Sequence, residues 1–591
     1  VEEVLADAPA ARARFSLAGW ALVTGLLLAL ALALMWHVWT LSWTDASACP
    51  CSDNSWATWV LAWPWQALRH GLNPFYSRAM FFPQGTNLLT YPGYSGLGIA
   101  LIPVTALFGP VASLNVALLA APVTSGLAAT WLATRWISSR VLCVVAGIFY
   151  AFSPLVIVNE PLGHLNQSFL CVPPLVVGCL HELFWRRRHR PVRVGVVLGA
   201  LLTAQFFIST EILLIIVVAT VVSLGVLAVV AAAVDRRALV EAARAGAPGL
   251  LVGAGVAGVL LVGPALFAFY GPSHYRGEVW PGGALSTVAL RDFFVPTGGF
   301  NLWWQHPAYR FLQPTYLAPG LLVVLLAGAV AFRRDRRLLA LGLLGALSAW
   351  LCLGAWYVFA PWHWLHRWSV FASVVNGRFA FLVFLFVALA LALVADHLRA
   401  WRPGWLGRAA AAGALVLAGY AYVDNALRAA PYGASRVWTP SWYREVAPSL
   451  PPGQVVLGFP FFDTSANLLS VQALGGMHYD IVGGTSPQWI PSRQGPAREG
   501  YVAVWDAASD AAEPTLATTA TAPQRAAVLS ALRFWQVDWI VIPTRNGPNT
   551  SPVARDPRAL MRWMSSIVGP TGVHDHAWVW HLRAGVVPSG P

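Results

Sequence analysis

Residues 15–40 read FSLAGWALVTGLLLALALALMWHVWT, and residues 52–89 read SDNSWATWVLAWPWQALRHGLNPFYSRAMFFPQGTNLL. The first stretch is long and apolar enough to cross a bilayer, which takes about 20 residues. It exceeds a cleavable leader and has no small-residue cleavage site, so it reads as an anchor. The second stretch is Trp-rich, broken by Pro64, Pro74 and Pro83, and carries Asp53 near its start. An acid shortly after a span, followed by amphipathic sequence, sits where water meets lipid.

Composition extends this reading to the whole chain. Of 591 residues, 57% are hydrophobic and only 11% charged, against about 25% charged in soluble domains. The chain is therefore an integral membrane protein. Its 38 basic residues are all arginine and its net charge is +13. The arginines lie in short tracts between apolar segments, which is the positive-inside pattern and not a groove for nucleic acid. Membrane lipids are the expected surroundings, and nucleic acid is excluded as a partner. Four of the six cysteines, Cys143, Cys171, Cys179 and Cys352, fall in apolar segments as small hydrophobes. Cys49-Pro50-Cys51 is spaced too tightly for an ordinary disulfide and reads as a turn.

Eleven spans are predicted: Phe15–Thr40, Ala112–Ala133, Val141–Val158, Ser168–Trp185, Val194–Ile208, Glu211–Val234, Gly249–Tyr270, Tyr316–Phe332, Leu338–Phe359, Phe379–His397 and Arg408–Val423. The split before Glu211 rests on Ser209-Thr210-Glu211 alone. Arginine tracts at 135–140, 186–193, 236–244, 333–337 and 399–408 belong in the cytoplasm. That leaves 41–111, 159–167, 271–315, 360–378 and everything after Asp424 outside, with the N-terminus inside. Tyr94–Phe108 is apolar but short and broken by Gly and Pro, so it is expected as an interfacial or re-entrant helix on the outer face. From 425 onward the composition turns polar, with strand-like runs at Val455–Pro460 and Trp535–Pro543 between Gly/Pro turns. The expected architecture is an α-helical polytopic membrane domain over 1–424 and an extracytoplasmic α/β domain over 425–591. No internal repeat is visible.

Several features taken together resemble the GT-C superfamily of polytopic glycosyltransferases. They are the acid at the start of a long first outer loop, the Ile102–Gly109 segment IPVTALFG before the second span, and the basic turn Arg135–Arg140 leading to Phe149–Pro154, FYAFSP. Within that group the chain is similar to large uncharacterised actinobacterial membrane proteins with W-x-L-A-W, H-G-x-N-P and P-x-G-x-N-L in the first loop, here Trp59–Trp63, His70–Pro74 and Pro83–Leu88. The resemblance implies transfer of a sugar from a polyprenyl-phosphate donor to a cell-envelope glycan, glycolipid or protein, in the plasma membrane of a bacterium. Relatives often pair two acids where this chain has Ser52-Asp53-Asn54. That weighs against a bidentate metal site, and a requirement for Mg²⁺ or Mn²⁺ stays open.

Such chemistry needs a base for the acceptor, stabilisation of the departing phosphate, and a groove for the isoprenoid. Asp53 is the first choice as base, since partial desolvation at the membrane surface makes a carboxylate a better proton acceptor. The plain alternative is a cap on a helix beginning near Ser55. Asp45 lies closer to the span and is the second choice. Glu160 and His164, in the short outer loop Asn159–Asn166, pair a carboxylate with an imidazole able to donate to an anionic oxygen. A hydrogen-bonded hairpin turn accounts for them equally simply. Glu211 has apolar sequence on both sides, a costly position that favours a paired or functional role. Arg378 begins a span from the outer side, against the charge rule, and is suited to grip phosphate bidentately or, equally, to anchor lipid head groups. Arg276, His274 and Arg310 are further phosphate candidates. Outer-face tryptophans (Trp56, Trp63, Trp303, Trp304, Trp362, Trp364) suit sugar stacking or, more plainly, an aromatic belt.

The chain carries no G-x-x-x-x-G-K-[ST], H-E-x-x-H or G-x-S-x-G motif, which argues against nucleotide-driven transport. Two other classes compete with a glycosyltransferase. One is a flippase of lipid-linked saccharides, for which inverted repeats and mid-membrane charges are expected. The other is a non-catalytic envelope scaffold, which the single acid of the first loop keeps in play.

Overall fold

The computed structural model describes residues 13–49, 52–89, 93–274, 288–296, 314–372, 374–401, 404–459, 468–484, 497–510, 518–544, 557–574 and 576–582. Among these, nine helices are long and apolar enough to cross a membrane. They are α1 (Leu17–Leu34), α5 (Pro110–Ala133), α6 (Arg140–Asn159), α7 (Leu165–Arg186), α8 (Pro191–Ile208), α9 (Thr210–Val234), α10 (Arg236–Tyr270), α13 (Asn376–Trp401) and α14 (Trp405–Ala429). The other two expected spans form shorter helices, α11 (Pro319–Ala331) and α12 (Arg336–Cys352). Tyr94–Phe108 does not cross: it divides into α3 (Ser95–Ala100) and α4 (Ile102–Phe108). Each is only about 10 Å long at 1.5 Å per residue. Ser209 separates α8 from α9 with extended backbone, and its hydroxyl caps α9 by accepting from Ile212 N–H. The predicted break is therefore real.

The chain divides into two compact units. The first comprises Val1–Trp36, Leu118–Pro264 and Trp280–Tyr432, and the second His37–Ala117, Ala265–Val279 and Gly433–Pro591. In the first unit α13 is the central helix. Its sequence, AFLVFLFVALALALVADHLRAW after the opening turn, is apolar on every side from Ala380 to Ala395, and all of those residues are buried. An all-round apolar helix must find an apolar surrounding. For α13 that surrounding is protein, from α6, α11, α12 and α14. For α9 and α10, equally apolar but with 22% and 6% of their windows buried, it is lipid. Close helix approach is set by glycine: a Cβ on Gly199 of α8 would stand 2.6 Å from the Gly253 carbonyl of α10.

The arginine tracts converge at one end of this unit. Arg399 donates to Ser138 Oγ (2.8 Å), and Asp396 accepts from Ser138 N–H (2.9 Å). Asp335 accepts from His397 Nε2 at 2.6 Å and from Arg337, and Arg135 pairs with Glu182 at 3.2 Å.

The second unit contains a five-stranded sheet built from β1 (Val455–Gly458), β2 (Asp480–Ile481), β3 (Trp539–Pro543), β4 (Gly572–His574) and β5 (Ala577–His581), in the order β2-β1-β3-β5-β4. β1 is parallel to β2 and β3, and β5 runs antiparallel to β3 and β4. The buried runs VVLG and WIVIP suit strands covered on both faces. Trp535, expected at the start of a strand, instead follows helix α17 (Ala522–Phe534). Helices α15 (Leu468–Leu474), α16 (Arg498–Asp510) and α18 (Pro557–Val568) are further elements of this unit.

Candidate functional site

α2 (Ser52–His70) carries Asp53 in its first turn. The helix thus begins before the acid and not near Ser55 as expected, so Asp53 lies inside the helix and its charge complements the N-terminal dipole. α2 is also not an interfacial ribbon. Trp56, Trp59 and Trp63 are buried, which corrects the reading of Trp56 and Trp63 as belt or stacking residues. The cause is α15, which packs along α2. Gln472 accepts from Trp59 Nε1 at 2.7 Å and donates to the carbonyls of Ala79 and Tyr479, each at 2.7 Å. Ser55 and Ser470 meet through their hydroxyls at 2.9 Å.

The loop motifs turn out to serve local geometry. Trp63 Nε1 donates to Asn73 O (3.0 Å), and Asn87 donates to the carbonyls of Phe267 and Pro272. Gly85 has φ +73°, and a Cβ there would meet Ser77 O at 2.5 Å, so glycine is required. Asp45 accepts from Ser42 Oγ (2.7 Å) and Thr44 Oγ1 (3.2 Å), closing the turn after the first span. His274 is held through Nδ1 against Gly271 O at 2.8 Å. Asp45, Asp53 and His274 all belong to the second unit. Arg276 and Arg310, with Trp303 and Trp304, lie outside the described residues.

The remaining candidates belong to the first unit. Glu211 and Arg378, separately proposed from sequence, are brought together: Arg378 Nη1 pairs with Glu211 Oε2. Glu211 Oε1 also accepts from Val375 N–H at 3.3 Å. One carboxylate at the head of α9 thereby fixes both the backbone and the guanidinium at the head of α13. Glu160 and His164 do not pair with each other. Glu160 is fully buried, and its Oε2 accepts from Tyr432 Oη at 3.0 Å. Its Oε1 has no hydrogen-bond partner among the described residues. Burial pushes the Glu160 carboxyl up to about 8, with the Tyr432 hydroxyl opposing that rise. His164 Nδ1 sits 2.7 Å from Asn159 Oδ1. Because Asn159 Nδ2 donates to Leu155 O at 2.7 Å, the amide oxygen faces the ring and favours the tautomer with the proton on Nδ1, against the more distant Gln167 Nε2 at 3.5 Å from the same nitrogen. Asn159 thus sets the tautomer of His164, a role no motif in the sequence announces. Trp362 is buried, contrary to the belt reading, while Trp364 is exposed.

Among the described residues no three His, Cys, Asp or Glu gather to hold a metal ion, and Asn54 donates to Cys49 O (2.7 Å) where relatives often carry a second acid.

No family model matches the chain, and no curated protein does. Solved structures do. The apo Archaeoglobus fulgidus oligosaccharyltransferase superposes with a TM-score of 0.51 at 14% identity, covering 89% of this chain and 69% of that one. Archaeal oligosaccharyltransferase AglB from Archaeoglobus fulgidus, in complex with an inhibitory peptide and a dolichol-phosphate, gives 0.50 at 16% identity over 88% and 69%. The fold is of the GT-C type. At this identity the likeness speaks for the fold.

Proposed function

We propose that this protein is a membrane glycosyltransferase that takes a sugar or glycan from a polyprenyl-phosphate donor and passes it to a cell-envelope glycan, glycolipid or protein. The reading is carried by Arg378. A guanidinium at the head of a buried apolar span, aligned by Glu211, is suited to a phosphate group. The GT-C fold and the dolichol-phosphate bound by one structural relative support it.

In this proposal an acceptor hydroxyl attacks the anomeric carbon and the bond from that carbon to the phosphate oxygen breaks. The electron pair leaves on the phosphate, whose charge Arg378 stabilises. Asp53, the base that the sequence offers for the acceptor proton, belongs to the second unit. Glu211 is a positioning residue, and His164, held as the Nδ1–H tautomer, is a phosphate contact. Asp45 and Glu160 serve the fold, since both carboxyls are engaged by neighbouring hydroxyls. The protein works in a bacterial plasma membrane, with the N-terminus cytoplasmic and residues 425–591 outside.

The test is transfer in proteoliposomes holding the full chain, a panel of polyprenyl-phosphate sugars and envelope acceptors. Asp53→Asn is expected to lower turnover by about 10²-fold or more, with donor affinity preserved. Arg378→Ala is expected to weaken donor binding. Wild-type turnover in Asp53→Asn would remove the assigned base. Counterflow of labelled donor without transfer would favour a flippase.

A further inference from the structure

Between α12 and α13 the chain runs from Gly354 to Phe371 with its apolar side chains outward. Trp356, Val358, Phe359, Trp364, Trp368 and Val370 are between 57% and 66% exposed. Such a cluster within one short segment is unlike scattered surface hydrophobes and marks an interaction surface.

The segment is nonetheless firmly built. Trp362 is fully buried; it donates to Leu351 O at 2.6 Å and packs on Phe379, ring centres 5.5 Å apart. His363 and His366 bond through Nδ1 to Ala355 O and Trp362 O. Two indole N–H groups are also satisfied within the segment or at its edge: Trp350 donates to Phe359 O (2.9 Å) and Trp364 to Val358 O (3.2 Å). An indole whose N–H is already bonded can enter an apolar medium without carrying an unpaired donor into it.

Depth follows from helix length. The 17 residues of α12 start in the arginine tract at Arg336 and climb about 25 Å. The hydrocarbon layer is about 30 Å thick, so the chain leaves α12 just short of the opposite boundary. Arg367, stacked over the Trp364 ring at 5.5 Å, adds the cation that this boundary favours.

We infer that Gly354–Phe371 is an in-plane membrane anchor, with its aromatic face seated at the glycerol–acyl boundary of the leaflet at the Arg378 end of the spans. The occupant of the face is phospholipid. This inference does not rest on the proposed transferase activity.

The experiment uses the full chain in nanodiscs of phosphatidylcholine and phosphatidylglycerol, with p-benzoylphenylalanine placed singly at Val358, Trp364, Trp368 or, as a buried control, Trp362. After irradiation, peptide mass spectrometry reads the adducts. Lipid adducts at the three exposed sites are expected in about fivefold or greater excess over the control. Adducts only to a second copy of the chain, only within the same chain, or none at all overturn the inference. Thermal unfolding of each nanodisc sample checks folding; Val370 replaces any exposed site whose variant fails it, and the buried Phe379 replaces Trp362 as control.

Discussion

Gln472 offers the sharpest test of how the first loop is held. Its side chain is fully buried and makes three hydrogen bonds, to Trp59 Nε1, Ala79 O and Tyr479 O. Gln472→Leu keeps the volume and removes all three. The Trp59 N–H, itself buried, would be orphaned at a cost of about 1–3 kcal/mol, and each lost carbonyl bond costs about 1 kcal/mol. Ala79 O softens its share because it also accepts from Ile481 N–H at 3.0 Å. The sum is about 3–5 kcal/mol. For a body of this size that corresponds to a fall in Tm of roughly 6–20 °C, read by intrinsic fluorescence of the purified chain. Trp59→Phe removes the orphaned donor, so the double variant should be less destabilised than the two single changes added. A Tm within about 2 °C of wild type for Gln472→Leu, which is under 1 kcal/mol, or strict additivity in the cycle, would refute the claim that this residue ties α2 to α15.

Three further outcomes are expected. Gly199→Val drives a side chain into the Gly253 carbonyl and should destabilise the first unit by about 1–3 kcal/mol, seen as a lower Tm, whereas Gly255→Val, which meets nothing within 4 Å, should not. Glu160→Gln should flatten the pH dependence of stability. The buried carboxyl holds its proton up to about pH 8 while the unfolded chain loses it near pH 4.3, so wild-type stability falls by up to roughly 1.4 kcal/mol per pH unit between those values, and Tm scans across pH 5–8 would show the difference. Asn159→Leu should release the His164 tautomer and lower transfer about tenfold, the worth of one hydrogen bond of about 1.4 kcal/mol, with a changed pH–rate profile and an unchanged donor Kd.

Much of the membrane architecture was legible because lipid imposes length and periodicity on sequence. The split at Ser209 was readable from three polar residues, and the failure of Tyr94–Phe108 to cross was readable from its glycines and proline. The burial of α2 was not legible. Its tryptophans look the same whether they face lipid or protein, and the residue that decides the matter, Gln472, is some 400 positions away in a different composition zone. For the site, the oddness of Glu211 and Arg378 could be seen residue by residue, since each is costly where it stands. Their pairing across 167 positions of sequence needed coordinates. Asn159 gave no signal, because an asparagine at a hairpin end is ordinary turn chemistry.

The carboxylates at the two ends of the first unit are held differently. At the arginine end the acids are crowded with donors. Asp396 takes the Ser138 N–H and hydroxyl together with Arg399, and Asp335 takes His397 and both the backbone and the guanidinium of Arg337. Carboxylates so fully engaged act as fasteners between helices. At the other end, one helix length away along α6 and α13, Glu160 keeps one buried oxygen without a partner among the described residues, a standing cost of about 1–3 kcal/mol. There too Arg378, placed against the charge rule, pairs with Glu211. Polar atoms without a partner among the described residues also occur at the arginine end, at Arg135 Nε and Arg186 Nε, so the contrast between the two ends lies in how the carboxylates are held.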